Sequence, residues 1–100
     1  MEQIERIRYY ESLLDRAAPV LEQMEEALDA FDGIQDDVKE LAAYYDDAWR
    51  GDFEADEAGR LPADLKRGVL SEDAVYDVLS RHYALTVRLL DTVSAILKNR

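Results

Sequence analysis

Apolar side chains recur at helical spacing through most of this chain. Ile7, Tyr10, Leu14, Ala17, Leu21, Met24, Leu28 and Phe31 alternate intervals of three and four without a break, which marks one apolar stripe on a helix. Pro19 lies inside this run, where a proline removes one hydrogen bond and ordinarily kinks or ends a helix. The register passes through it in phase, with Pro19 at the outermost heptad position. The spacing therefore predicts one helix over residues 2–31, bent near Pro19 with its convex side toward water; two helices broken near Ala17-Ala18 are the alternative. Asp32-Gly33 supplies the stop, with Gly33 expected in the left-handed conformation that closes many helices.

Ile34, Val38, Leu41, Tyr45 and Ala48 keep the same spacing and predict a second helix over 35–50, with Asp36 and Asp37 in the first turn, where the helix dipole favours anions. Trp49 closes this helix and Gly51 ends it. A link as short as Asp32-Gly33 predicts an antiparallel pair. The last helix is expected over 72–98, capped by Ser71 with Glu72 and Asp73 in its first turn. Val75, Leu79, His82, Thr86, Leu89, Val93 and Ile96 form its main stripe, and Tyr76, Tyr83, Leu90 and Leu97 form a second at intervals of seven. A face this wide suits a helix between two neighbours. The fold class expected is all-α, an antiparallel three-helix bundle with a long, partly ordered loop between helices two and three, forming a single domain over residues 1–100.

Helix lengths sharpen that expectation. At 1.5 Å per residue the outer helices run to about 45 and 40 Å and the middle one to about 24 Å. Part of the groove between the long helices is then open. The connection at 51–70 is long for a compact domain and carries Phe53, Leu61, Leu65, Val69 and Leu70. It is expected to fold back over the groove, with Pro62 starting a short helical turn that Gly68 ends.

Charge narrows the range of partners. The net charge is −11, with 5 basic and 18 acidic residues in 1–59 against 7 and 5 in 60–100. A surface this acidic repels nucleic-acid phosphates and anionic lipid, so no direct nucleic-acid or membrane binding is expected; it attracts basic partners and favours solubility. Packing of the last helix against the first two would neutralise part of the asymmetry. The absence of cysteine excludes disulfides and thiolate metal sites. The Met1-Glu2-Gln3-Ile4-Glu5 opening lacks the basic and apolar regions of a signal peptide, and no apolar run approaches the roughly 20 residues of a membrane span, so a cytoplasmic location is expected.

The stretch Asp52 to Asp73, DFEADEAGRLPADLKRGVLSED, followed by Val75-Tyr76-Asp77, resembles the signature of a bacterial family known as domain of unknown function 4298. The resemblance runs from Ile4-Glu5-Arg6 to the final helix, and its specific part is the central segment. It implies a small, helical, mostly stand-alone bacterial protein. It implies no activity, cofactor or established site, and points to the 51–70 segment and the Trp49 end of helix two as the distinctive region.

Four carboxylates, Asp52, Glu54, Asp56 and Glu57, fall within six residues, just after Asp46 and Asp47. Clustered oxygens suit calcium or magnesium, but the calcium-loop pattern fails: counted from Asp52, Glu57 stands at the glycine position and Ala63 at the position of the bidentate glutamate. A solvated or internally paired acidic turn fits better. Arg60, Lys66 and Arg67 follow, and Arg60 or Arg67 could clamp a carboxylate and fix the segment's path. His82, the only histidine, lies on the core-facing stripe, where a satisfied core residue is the ordinary reading and a base or metal ligand the sharper one. The serines and threonines suggest no catalytic triad, and Thr86 can bond the helix backbone. Tyr44, Tyr45 and Trp49 are expected to meet Tyr76 and Tyr83 in an aromatic core.

These residues point to an acidic helical protein–protein interaction module, not an enzyme, with no cofactor and no metal. Its partner would be a basic protein or a second copy of the chain, held by Trp49, Asp52, Phe53, Glu54, Asp56, Glu57, Arg60, Lys66 and Arg67. The alternative is a metal-dependent enzyme or small-ligand binder using the 52–57 carboxylates and His82.

Overall fold

The computed structural model describes residues 2–100. It is all-helical: among the described residues there are four α-helices, α1 (Gln3–Gly33), α2 (Gln35–Asp46), α3 (Trp49–Glu57) and α4 (Ala74–Lys98), and one 3-10 turn at Gly68–Leu70. The sequence predicts three helices in a bundle; the helix expected over 35–50 instead ends at Asp46, and a separate fourth helix, α3, opens at Trp49 and runs through Gly51 to Glu57, where a loop was expected. The chain divides into two compact units, Met1–Asp36 and Asp37–Arg100.

The first unit is essentially α1. The Glu2 carboxylate accepts from the backbone N–H groups of Ile4 (3.1 Å) and Glu5 (2.7 Å), satisfying donors that a helix start leaves unpaired. The helix runs through Pro19 to Gly33 as one element, and none of its residues is buried. Proline lacks the N–H that would reach the Asp15 carbonyl, yet the residues on both sides of Pro19 remain helical. Gly33 does not take the left-handed conformation; the only positive-φ glycine among the described residues is Gly59. The cap falls instead on Ile34, whose N–H donates to the Phe31 carbonyl at 3.3 Å.

The second unit is built around Trp49. Leu41, Tyr45, Trp49 and Phe53 are spaced by four, so a helical path through residues 41–53 brings them to one face. The path survives the junction of α2 and α3: Ala48 keeps helical dihedrals, Asp47 N–H donates to Tyr44 at 3.2 Å and Asp52 N–H to Ala48 at 3.1 Å. Gly51 therefore sits inside α3 and does not end a helix. The stop is Gly59, at φ +70°, where Arg60 N–H reaches the Ala55 carbonyl and Gly59 N–H the Asp56 carbonyl, both at 3.0 Å. This is the paired-bond closure that glycine permits after a helix.

Beyond Gly59 the chain turns back. Leu65 N–H donates to the Pro62 carbonyl at 3.2 Å, a single turn and not a helix, and Gly68 opens the 3-10 turn where the sequence suggested a stop. Leu70 and Val75 then close on Trp49 as the buried core, with Leu41, Tyr44, Tyr45, Phe53, Leu61 and Leu79 packed around it. Ser71 ends the 3-10 turn and does not cap α4; the residue before α4 is Asp73, which makes no side-chain cap bond. Tyr76 and Tyr83 stay exposed, outside the aromatic cluster expected to include them.

Candidate functional site

Residues 49–70, the distinctive part of the sequence, do two different jobs. Trp49 is 6% exposed, and its indole Nε1–H donates to the Val69 carbonyl at 2.8 Å. Phe53 stacks on it with centroids 5.0 Å apart and planes 17° from parallel, and Tyr45 lies 5.1 Å away at 51°. The Arg50 guanidinium sits 5.8 Å from the indole centroid. Removing a buried aromatic of this kind costs roughly 3–5 kcal/mol, so Trp49 and Phe53 serve first as the anchor of the unit.

The four carboxylates do not act as one group. Because α3 is helical, Asp52 and Asp56 share a face at a spacing of four, while Glu54 is turned about 200° from Asp52 and shares its own side with Glu57. Half-buried Asp56 pairs with Arg67 Nη1. Arg67 also donates through Nη2 to the Pro62 carbonyl and through Nε to the Leu65 carbonyl at 3.2 Å. One guanidinium thus holds α3 and both ends of the 62–65 turn. Glu54, Glu57, Arg60 and Lys66 are exposed. Among the described residues no group of three or more histidine, cysteine, aspartate or glutamate side chains is placed to hold a metal ion. His82 is half-buried on α4, and Thr86 donates to its carbonyl at 2.8 Å.

Asp52 takes part in a different arrangement. The Tyr44 hydroxyl donates to its Oδ2 at 2.7 Å across the α2–α3 junction. Burial of the ring, and then the bond to Asp52 and its negative charge, push the Tyr44 pKa up to about 12. Tyr44 and Asp52 line a recess of about 330 Å³ with Leu61, Leu65, Lys66, Val69 and Leu70. Tyr44 also lines a neighbouring recess of about 610 Å³ with Asp37, Glu40 and Leu41. Asp37, Glu40, Leu41 and Tyr44 are not among the site residues that the sequence singles out. Their spacing of three, one and three on α2 was the available signal, but their neighbours Leu61 and Leu65 arrive only through the fold.

A family model described as Domain of unknown function (DUF4298) matches residues 7–92. The chain belongs to the DUF4298 family. No curated protein and no solved structure matches this DUF4298 chain. The match covers both units, including the whole Trp49 core and the segment between Asp52 and Asp73. Among the described residues no helix is long and apolar enough to cross a membrane.

Proposed function

We propose that this DUF4298 chain is an acidic protein–protein interaction module, bacterial and cytoplasmic, that recognises a basic protein partner. The observation that carries this reading is the surface of α2 and α3. Residues 36–57 contain nine acidic and two basic residues, and all of the acids except Asp56 are exposed. These helices are held by the Trp49 core, so the charge is displayed on a packed support. A fixed array of this sign steers and orients a positively charged partner.

Capture from a lysate of the organism that encodes the chain tests the reading. Asp52, Glu54 and Glu57 are neutralised to their amides, with Asp56 left intact because it holds Arg67, and circular dichroism verifies the fold. A partner retained by the wild type and lost by the variant is the expected result; equal capture by both, or by neither, sinks the proposal.

A second reading, self-association, is favoured by α4. Tyr76, Tyr83, Leu90 and Leu97, one heptad apart, are 58%, 72%, 69% and 64% exposed. Val87 and Val93, which fall between these positions and are 40% and 50% exposed, bring the spacing near the alternation of three and four that helix pairing uses.

A further inference from the structure

We infer that the two recesses meeting at Tyr44 form one docking groove for a basic, amphipathic helical segment of the partner protein, apolar on the face it inserts and lysine- or arginine-rich along its flanks. The inference rests on the interaction-module reading and gives it a site.

Asp37, Glu40, Leu41 and Tyr44 lie within two turns of α2, a run of about 10 Å along the helix axis. Leu41 and the Tyr44 ring supply apolar surface at one end; Leu61 and Leu65 supply it at the other. Leu65 remains 46% exposed although its neighbour Leu61 is packed against the core. Three carboxylates line these recesses, Asp37, Glu40 and Asp52, against one ammonium, Lys66. One oxygen of Asp52 is engaged by the Tyr44 hydroxyl, which leaves the other for an incoming cation. Shallow apolar surface between carboxylates is poor for an isolated small ligand, whose surface is ordinarily 70–90% enclosed. It matches a helix laid in a groove, with anchors at intervals of three and four. The negative edge selects a cationic flank and turns away phosphate-bearing surfaces.

Two fluorescent peptides of about 18 residues, with the same leucine and lysine composition, provide the probe. One is ordered into a helical apolar stripe and the other is scrambled so that no face is apolar. Anisotropy titrations at physiological salt are expected to favour the amphipathic peptide by about tenfold or more. The combined Asp37→Asn, Glu40→Gln and Asp52→Asn variant should weaken it by about tenfold, as three exposed ion pairs together suggest. Leu65→Ser should also weaken it several-fold, whereas Glu25→Gln, Glu26→Gln and Asp29→Asn on α1 should change it less than about threefold. Equal binding of the two peptides, indifference to Leu65→Ser, or an equal loss with the α1 variant would each overturn the groove. A lysate partner that depends on Glu54 and Glu57 but not on Asp37, Glu40 or Leu65 would overturn the groove while leaving the interaction module standing; no partner at all would remove both.

Discussion

An indole brings a large apolar surface and a single donor into the interior, so burying it without an acceptor forfeits much of the gain. Val69 provides that acceptor for Trp49, and its carbonyl comes from the far side of the turn. The bond therefore fixes where residues 61–70 lie, and with them the wall of the recess beside Tyr44. Tyr44 reports on that wall. Its pKa is raised, so both the folded and unfolded chains hold the proton below about pH 10, where the Tyr44–Asp52 bond contributes fully; the contribution is lost as pH rises from about 10 through about 12. A phenolate absorbance titration should show a step for Tyr44 near 12. Asp52→Asn should bring that step down only part of the way, because burial is the larger cause. Absence of any step near 12 would contradict the packing of Tyr44.

At the scale of elements, two glycines separate what a local signal says from what packing decides. Gly51 lies inside α3 with open space around its missing Cβ, and Gly59 takes φ +70° after the helix. Gly51→Ala should stabilise by about 0.5–1 kcal/mol and Gly59→Ala should destabilise by about 1–2 kcal/mol, read from urea midpoints. The opposite signs would place the helix end back at Gly51. A glycine costs a helix only about 1 kcal/mol, and Phe53 stacks on Trp49 across it, so helical structure continues through Gly51 to Glu57, seven residues past the end expected at residue 50. The apolar stripes of α1 and α4 were legible because their spacing is long and regular. Arg67 was legible as a clamp, since a guanidinium among carboxylates has an obvious use, but the choice of Asp56 depends on α3 being helical. Leu61 and Leu65 beside Asp52 were not legible at all. Their place depends on the Gly59 reversal and the Trp49–Val69 bond, both of which act across many residues.

At the scale of the whole molecule, charge decides which apolar stripe can face its own copy. Residues 1–36 hold ten acidic and three basic residues, so pairing two copies through α1 would bring like charges together along the seam. Helix α4 holds Asp77 and Asp91 against Arg81, Arg88 and Lys98, nearly balanced and interspersed with its apolar positions. An antiparallel pair of α4 helices related by a two-fold axis would set Tyr83 and Leu90 of one copy against Leu90 and Tyr83 of the other without a charge penalty. Sedimentation velocity at tens of micromolar should then show a dimer for the wild type. Leu90→Glu, placed on a side chain that is 69% exposed and so harmless to the fold, should shift it to monomer. Because this seam is carried by electroneutral apolar contact, raising salt should leave the dimer intact or strengthen it, whereas the same salt should weaken a basic partner bound at Asp37, Glu40 and Asp52. Opposite salt responses would identify two independent surfaces on α2–α3 and α4. A wild type that is monomeric at every concentration would remove the self-association reading and leave the acidic groove as the one proposed contact.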